Sequence, residues 1–160
     1  MEQVNIKFEL CHEDAQVPTR GRYGDLGYDI YPAFDGEYLK IEPNSVELVP
    51  TGIKSAFPKE YGILFKDRGS TGAKNITTYA GVLDSNYRGE WFVAIHNSND
   101  KPLVIAKYPD GFDNDVIVRD YNKAIAQFVI VPAYRMIYSV TDDIDEFAST
   151  RGSAKLGSSD

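Results

Sequence analysis

The sequence has little of several features that define other classes of protein. Its one cysteine, Cys11, excludes an internal disulfide and is typical of a reducing compartment. We expect Cys11 to be a small apolar residue buried in a strand. The two histidines, His12 and His96, lie far apart without neighbouring cysteines, which argues against a structural zinc site. No apolar run is long enough to cross a membrane and the N-terminus has no signal-peptide character, so we expect a cytoplasmic protein.

Positive charge is also scarce. The chain has 17 lysines and arginines against 24 aspartates and glutamates, which gives a net charge of −7. Because nucleic-acid backbones are bound by clustered basic residues, we expect no nucleic-acid partner. Since no apolar run is long enough to cross a membrane, we expect no membrane partner either. A few basic groups, backbone amides and a metal ion can nevertheless form one local anion site on an acidic protein. The composition is therefore compatible with a small phosphate-containing ligand.

Short β-type runs separated by turn residues predict an all-β protein. In the first run, Val4, Ile6, Phe8 and Leu10 alternate with polar residues, which is the period of a strand with one buried face. Further runs follow at Val46–Val49, Tyr61–Phe65, Trp91–His96, Val116–Val118, Ile125–Val131 and Met136–Val140. Gly, Pro, Asn and Asp lie between them, which is typical of a sandwich or a barrel. Only residues 70–74 and 142–147 have a briefly helical pattern.

The length of 160 residues fits one folded domain. We assign residues 1–148 to that domain. Residues 149–160 contain too few apolar side chains to fold alone, and we expect them to form a flexible C-terminal arm. Residues 101–120 form a long connection, which we expect to be an insertion on the surface because long connections run where backbone polar groups meet water.

Four polar segments that contain glycine stand out against the β pattern. They are 24–30 (GDLGYDI), 67–74 (DRGSTGAK), 80–90 (AGVLDSNYRGE) and 151–159 (RGSAKLGSS). In the third, Asp84 precedes a turn-forming Ser-Asn pair and Tyr87 follows it, which predicts a β-hairpin with a carboxylate beside its turn. Such a carboxylate can deprotonate a water molecule, and free backbone groups of the hairpin can bind a polar base. Equally, Asp84 can cap a turn while Tyr87 fills the core.

The tail has several interpretations from its residues alone. Gly152 and Gly157 are separated by four residues and followed by two serines, which approaches the spacing of a phosphate-binding loop. No Walker lysine follows Gly157 and no strand-to-helix context surrounds it, which argues against a P-loop ATPase. The tail is compatible with an arm that closes over a triphosphate, with a disordered terminus, and with a residual cloning tail.

In this order the four segments resemble the motifs of the trimeric dUTPase family. Leu26–Ile30 is similar to the family's A-G-Y-D-L, 68–70 (RGS) to its R-S-(S/G), and 81–89 (GVLDSNYRG) to its G-V-I-D-x-x-Y-x-G hairpin. Residues 125–127 (IAQ) match the end of G-(D/E)-R-I-A-Q, and the tail resembles R-G-x-G-G-F-G-S-T-G. The chain departs from the family at four positions that normally hold proline, serine, arginine and an aromatic residue, namely Asp67, Gly69, Ala124 and Leu156.

The resemblance implies a distorted jelly-roll β-barrel, a homotrimer with shared sites, and Mg²⁺-dependent hydrolysis of dUTP to dUMP and pyrophosphate. In nucleotide metabolism this reaction limits uracil incorporation into DNA and supplies dUMP for thymidylate synthesis. Asp84 would activate the water that attacks the α-phosphorus, and Asp29 would support the site by hydrogen bonds. Mg²⁺ would be held through substrate phosphates and water, without a direct protein ligand. The implied substrate-binding residues are Arg68, Gly69, Ser70, Thr78, Gly81, Val82, Leu83, Tyr87, Gln127, Arg151, Leu156, Gly157 and Ser158.

Two other functions stay open. A dCTP deaminase shares the implied fold, but its base is a glutamate in a T-L-E segment, and the corresponding strand here, Phe92–Asn97, contains no glutamate. A regulatory protein of the same fold would instead bind a protein partner. The insertion at 101–120 and the altered second and fourth motifs favour this alternative. Release of pyrophosphate from dUTP distinguishes an enzyme from a regulator.

Overall fold

The computed structural model describes residues 3–142 and residue 144. These residues form twelve strands, one short helix and a 3-10 turn at Pro109–Gly111. The elements are β1 Lys7–Leu10, β2 Tyr28–Ile30, β3 Tyr38–Ile41, β4 Val46–Pro50, β5 Ile53–Ala56, β6 Tyr61–Lys66, α1 Gly69–Gly72, β7 Ile76–Tyr79, β8 Val82–Leu83, β9 Phe92–Asn97, β10 Leu103–Ala106, β11 Ile117–Asp120 and β12 Ala126–Pro132. The predicted all-β class is confirmed. No helix in this described part of the chain is long and apolar enough to cross a membrane.

The strands pair into four small sheets. Their orders are β2-β12-β6-β8, β4-β9-β7, β11-β10-β3 and β1-β5. Every pairing is antiparallel except that of β10 with β11, which is parallel. The longest pairing joins β6 to β12, from Gln127 opposite Lys66 to Pro132 opposite Tyr61. Strand β8 lies at the edge of its sheet, so one row of its backbone groups faces away from any strand described here.

A cluster of aromatic rings fills the centre of the core. Trp91 has none of its surface exposed, and its ring centroid lies 5.6 Å from that of Phe8 and 5.4 Å from those of Phe65 and Phe128. The indole N–H of Trp91 donates to the hydroxyl of Ser55 at 3.1 Å, so its one polar group is satisfied inside the core. The cluster therefore joins β1, β6 and β12 around one buried tryptophan.

The expectation that residues 101–120 form a surface insertion is wrong for the first part of this range. Leu103–Ala106 is β10, a central strand between β3 and β11, and each of its four residues is at most 1% exposed. Four consecutive apolar residues are typical of a strand covered on both faces, and this run outweighs the length of the connection. None of the residues from 107 to 116 is fully buried, so the surface part begins at Lys107.

Two other expectations about local position are also wrong. Cys11 is exposed, because it follows the last residue of β1 rather than lying within a strand. The predicted strand Met136–Val140 is not formed within the described chain. Its apolar side chains are exposed, with Ile137 at 98% and Val140 at 95%. A strand needs a neighbour for its backbone groups, and none of the strands described here is paired with this segment.

Candidate active site

Two of the four polar segments, 24–30 and 67–74, meet at one open cavity of about 480 Å³. The predicted site residues that line it are Asp29, Arg68, Gly69, Ser70 and Gln127. Strand pairing brings the first and last of these together, because Asp29 on β2 lies opposite Gln127 on β12, and Gln127 lies opposite Lys66 on β6. Directly opposite residues project from the same face of a sheet, so a polar row crosses three strands. Lys66 was not singled out in the sequence.

Arg68 is held by Asp29 in a two-pronged ion pair. Its Nε donates to Oδ1 of Asp29 at 2.7 Å and its Nη2 donates to Oδ2 at 3.0 Å. The Arg68 and Asp29 side chains are 29% and 22% exposed, so water screens the pair only in part. Nη1 of Arg68 donates to the hydroxyl of Ser70 at 3.3 Å. Asp29 therefore fixes the direction of the guanidinium.

The turn after β6 is fixed by side-chain hydrogen bonds. The buried Thr71 hydroxyl accepts from the backbone N–H of Arg68 at 3.1 Å and donates to its carbonyl at 3.0 Å. Gln127 Nε2 donates to the carbonyl of Asp67 at 2.7 Å. The carboxylate of Asp67 accepts from the backbone N–H of Thr78 at 2.6 Å. Asp67 replaces the family's proline, and it links this turn to β7.

The predicted hairpin is formed only as a strand and a turn at the edge of the same sheet, because Val82–Leu83 pairs with β6 and residues 84–91 belong to no strand. We keep the name hairpin for this motif. Gly81 precedes β8 and packs so closely on β6 that a Cβ atom there would lie 2.7 Å from the carbonyl oxygen of Phe65. The backbone N–H of Phe65 donates to the Gly81 carbonyl at 2.6 Å. The exposed Asp84 begins a turn in which the N–H of Tyr87 donates to its carbonyl at 3.1 Å. The phenol of Tyr87 donates to the carbonyl of Glu90 at 2.9 Å.

Arg88 is a further residue of the hairpin to which the sequence interpretation gave no role. Its Nη1 donates to the carbonyl of Ser85 at 2.6 Å and to that of Tyr87 at 2.9 Å. One guanidinium therefore links two carbonyls of the turn that carries Asp84. Its position between Tyr87 and Gly89 in the hairpin motif was the available signal.

The carboxylate of Asp84 and the cationic cluster, which consists of Lys66, Arg68, Gly69, Ser70 and Gln127, line different cavities of one chain. Asp84 lines a second cavity of about 600 Å³ together with its neighbours Val82, Leu83 and Ser85. Leu83 pairs with Ile63, whereas the cationic cluster begins at Lys66. Three residues of strand separate the two positions by about 10 Å along β6. A smaller cavity between them, of about 270 Å³, is lined by Lys66, Thr78, Gly81 and others.

Four of the predicted substrate-binding residues lie outside the described residues. They are Arg151, Leu156, Gly157 and Ser158. The described sites therefore comprise two clusters. The cationic cluster consists of Lys66, Arg68, Gly69, Ser70 and Gln127, and the hairpin consists of residues 81–90.

Comparison with solved structures identifies the class of fold. The chain superposes on the dUTPase of Staphylococcus bacteriophage 80alpha with a TM-score of 0.78 at 22% sequence identity, covering 98% of both chains. It superposes on the dUTPase of phage phi11 of S. aureus with a TM-score of 0.70 at 23% identity, covering 89% of this chain and 99% of the other. A structural Mg(II) ion is described for a variant of the phi11 protein. The fold is therefore that of the dUTPases.

Sequence comparison then gives the family. The family profile named dUTPase matches residues 13–109. The chain is 30% identical over 160 residues to a deoxyuridine 5′-triphosphate nucleotidohydrolase of Leptospira interrogans, covering 97% of this chain and 98% of the relative. It is 28% identical over 155 residues to the protein of the same name from Syntrophotalea carbinolica, covering 95% of each. The chain belongs to the dUTPase family, as the motifs indicated.

Proposed function

We propose that the protein is a dUTP diphosphatase that hydrolyses dUTP to dUMP and pyrophosphate in the cytoplasm. The observation that carries the proposal is the hairpin 81–89, whose sequence matches the family motif and whose turn presents the exposed carboxylate of Asp84. The relatives from Syntrophotalea carbinolica and Leptospira interrogans are deoxyuridine 5′-triphosphate nucleotidohydrolases, and each matches almost the whole of this chain. The proposal therefore rests on the family and on a residue whose chemistry suits the reaction.

Asp84 would act as the general base. An exposed carboxylate at a rigid turn can accept a hydrogen bond from water and take its proton as the oxygen attacks the α-phosphorus. The bond from that phosphorus to the bridging oxygen then breaks, and pyrophosphate leaves. The hydrogen bonds from Arg88 and within the Asp84–Tyr87 turn support this role, because they hold the backbone of the turn that presents the carboxylate.

Strand β8 would bind the uracil through its backbone. Val82 and Leu83 pair with β6 on one side only, and a base can form hydrogen bonds with the open side. The family resemblance implies a fit at this strand that leaves no room for a methyl group at C5. Tyr87 would pack under the deoxyribose, where a ribose 2′-hydroxyl would clash with it.

The cationic cluster would bind the phosphates. Arg68 is fixed by Asp29, and its Nη1 together with the Ser70 hydroxyl offers donors at the cavity. Lys66 adds a second positive charge, and Gln127 is anchored beside it. Charge that builds up on departing pyrophosphate is stabilised by fixed cations and donors of this kind.

Mg²⁺ would take most of its ligands from the substrate. The described residues contain no group of three or more His, Cys, Asp or Glu side chains that could hold a metal ion. The family resemblance implies that substrate phosphates and water hold Mg²⁺, an ion that commonly keeps several waters when it is bound. When bound it would neutralise negative charge on the phosphates.

A homotrimer would complete the site. The cationic cluster and Asp84 line different cavities of one chain, so the hairpin of one copy facing the cationic cluster of another would bring them together. The apolar segment Met136–Val140 supports such an assembly, since side chains exposed by 78–98% are suited to cover a neighbouring copy. The number of three follows from the family resemblance, as does the closing of the arm 149–160 over the site.

Binding of a protein partner is a second candidate function. The surface part of the β10–β11 connection, which begins at Lys107, carries Tyr108, which is 69% exposed. It also carries Phe112, whose ring centroid lies 5.5 Å from that of Tyr38. An exposed aromatic cluster of this kind is typical of protein-binding surfaces. Replacing Tyr108 with serine should abolish regulatory binding while dUTP turnover is unchanged. A change in turnover would instead connect this turn to catalysis.

Release of pyrophosphate from dUTP tests the proposed enzyme. We expect turnover with Mg²⁺, loss of turnover with a chelator, and poor turnover of UTP, dTTP and dCTP. Asp84→Asn should lower kcat by about 100-fold or more while a non-hydrolysable dUTP analogue still binds. The matched control is Asp100→Asn, which changes an exposed aspartate in the β9–β10 connection and should leave kcat unchanged. Normal turnover by the Asp84 variant would refute the base assignment.

A further inference from the structure

An arginine outside the family motifs lies behind the cationic cluster. Arg119 is on β11, and its Nη2 donates to the carbonyl of Ala124. Its Nε is buried and has no hydrogen-bond partner among the residues that the structure describes. Nearly all buried polar groups in proteins are hydrogen-bonded, so an arginine left partly unsatisfied calls for an explanation.

The position of Arg119 connects it to both backbone segments of the cationic cluster. It lines a small interior cavity of about 10 Å³ with Thr71, Ile125 and four other apolar residues. Thr71 is the residue whose hydroxyl fixes the backbone of Arg68. Ile125 lies between Ala124, which accepts the Arg119 hydrogen bond, and the strand that carries Gln127. Arg119 therefore lies behind the backbone segments that carry Arg68 and Gln127.

Arg119 also changes the charge of the cluster. Arg68 is neutralised by its ion pair with Asp29, whereas Arg119 forms no ion pair in the described chain. Burial lowers the pKa of Arg119, as does the nearby charge of Arg68, while Asp120 and Asp29 raise it. Arg119 thus interacts electrostatically with the Asp29–Arg68 pair. Asp29, Arg68 and Arg119 together carry one net positive charge, to which Lys66 at the cavity adds a second, while Asp120 is a nearby negative charge.

We propose that Arg119 is a positioning residue of the phosphate site that takes the place of the missing family arginine at position 124. Ala124 is 3% exposed and has no side chain that could contribute charge. The guanidinium of Arg119 enters from β11, the preceding strand along the chain, holds the carbonyl of Ala124 and adds positive charge that attracts a polyphosphate. The inference rests on the proposed function, because it assumes that the cavity binds the phosphates of dUTP.

The test compares Arg119→Met, Arg119→Lys and the double variant Arg119→Met/Ala124→Arg in the full chain. Calorimetry gives the affinity for inorganic pyrophosphate and for a non-hydrolysable dUTP analogue, with deoxyuridine as the ligand that lacks phosphate. Steady-state kinetics gives KM and kcat for dUTP. Urea unfolding at fixed protein concentration reports stability, because removing a half-buried arginine that served only packing would lower the free energy of unfolding.

We expect Arg119→Met to weaken pyrophosphate binding and to raise KM for dUTP by about tenfold, with a smaller change in kcat. The difference should shrink at high salt, and deoxyuridine binding should not change. Stability should change little, since the substitution removes a half-buried charge and an unsatisfied buried N–H as well as the hydrogen bond to Ala124. Arg119→Lys should keep most of the affinity, and the double variant should recover it.

Equal loss for deoxyuridine and pyrophosphate would overturn the inference, as would wild-type pyrophosphate affinity in Arg119→Met. If Arg119→Met does not fold, Arg119→Lys decides, because weak binding by a folded lysine variant contradicts a role of the charge. Failure of the wild-type protein to hydrolyse dUTP would instead refute the proposed function. The pyrophosphate affinities would then still decide whether Arg119 supports an anion site.

Discussion

Replacing Gly81 with alanine tests how closely the hairpin must pack on β6. The added Cβ would lie 2.7 Å from the carbonyl oxygen of Phe65, where ordinary contacts begin at 3.4 Å. The atom it meets belongs to the backbone, and the Phe65 N–H donates to the Gly81 carbonyl at 2.6 Å. The two segments are therefore tied together at the point where the new methyl group pushes them apart.

The size of the effect follows from this overlap. Relieving it requires a shift of about 0.7 Å, and overpacking of this kind destabilises proteins by about 1–3 kcal/mol. The shift displaces β8 and with it Asp84, which follows directly after Leu83. Misplacement of a reacting group by about 1 Å can lower a rate by about 100-fold. We expect kcat/KM for dUTP to fall by about that factor in Gly81→Ala.

Pyrophosphate release and urea unfolding at one protein concentration measure the two effects. The matched control is Gly111→Ala, because a Cβ at Gly111 meets no atom within 4 Å and its backbone needs no positive φ. The control should differ little from the wild-type protein in both measurements. If Gly81→Ala keeps kcat/KM within about twofold of wild type, the close approach of β8 to β6 does not determine the geometry of the site.

Three further predictions concern the cationic cluster, a surface ion pair and the tail. Arg68→Lys removes the two-pronged pair with Asp29, so kcat/KM for dUTP should fall at least about tenfold. A double-mutant cycle with Asp29→Asn, measured by urea unfolding, should give a coupling free energy of about 1–3 kcal/mol, and additive effects of the two substitutions would contradict the pairing. Hydrogen bonds from Lys107 and Tyr121 lower the pKa of Asp14 below its usual value of 3.8. The extra stability of the wild type over Asp14→Asn should therefore be fully present above pH 3.8 and should be lost as the pH falls through the lowered pKa. Thermal unfolding against pH measures this difference, and a difference that stays constant at low pH would show that the charge of Asp14 does not cause it. A chain that ends at Thr150 should fold but should not hydrolyse dUTP. If the tail acts on a neighbouring copy, co-refolding this chain with full-length Asp84→Asn should restore pyrophosphate release. Mixed assemblies that are confirmed but stay inactive would exclude an action of the tail on a neighbouring copy.

The sequence predicted those features that depend on neighbouring residues. The turn of the hairpin motif 81–89 forms because it is closed by hydrogen bonds between residues at most three apart, such as that from Tyr87 to Asp84. The second strand of the predicted hairpin is not formed, since β8 pairs with β6 instead. The strand Leu103–Ala106 was missed for the opposite reason. Its burial depends on β3, some sixty residues earlier in the chain, and on a parallel neighbour that follows it. A run of apolar residues does not by itself tell which partners will cover it.

The cationic cluster depends on strand register, which no local motif determines. Asp29, Gln127 and Lys66 share one face because Phe128 lies opposite both Tyr28 and Phe65 on the other face, where it is 2% exposed and stacks on Tyr28 at 5.2 Å. A slip of one residue in β12 would turn Gln127 into the core and Phe128 into water. The cost of exposing that aromatic ring therefore fixes the register, and the register assembles the polar row. The aromatic core is thus the physical reason why two motifs almost a hundred residues apart meet at one cavity.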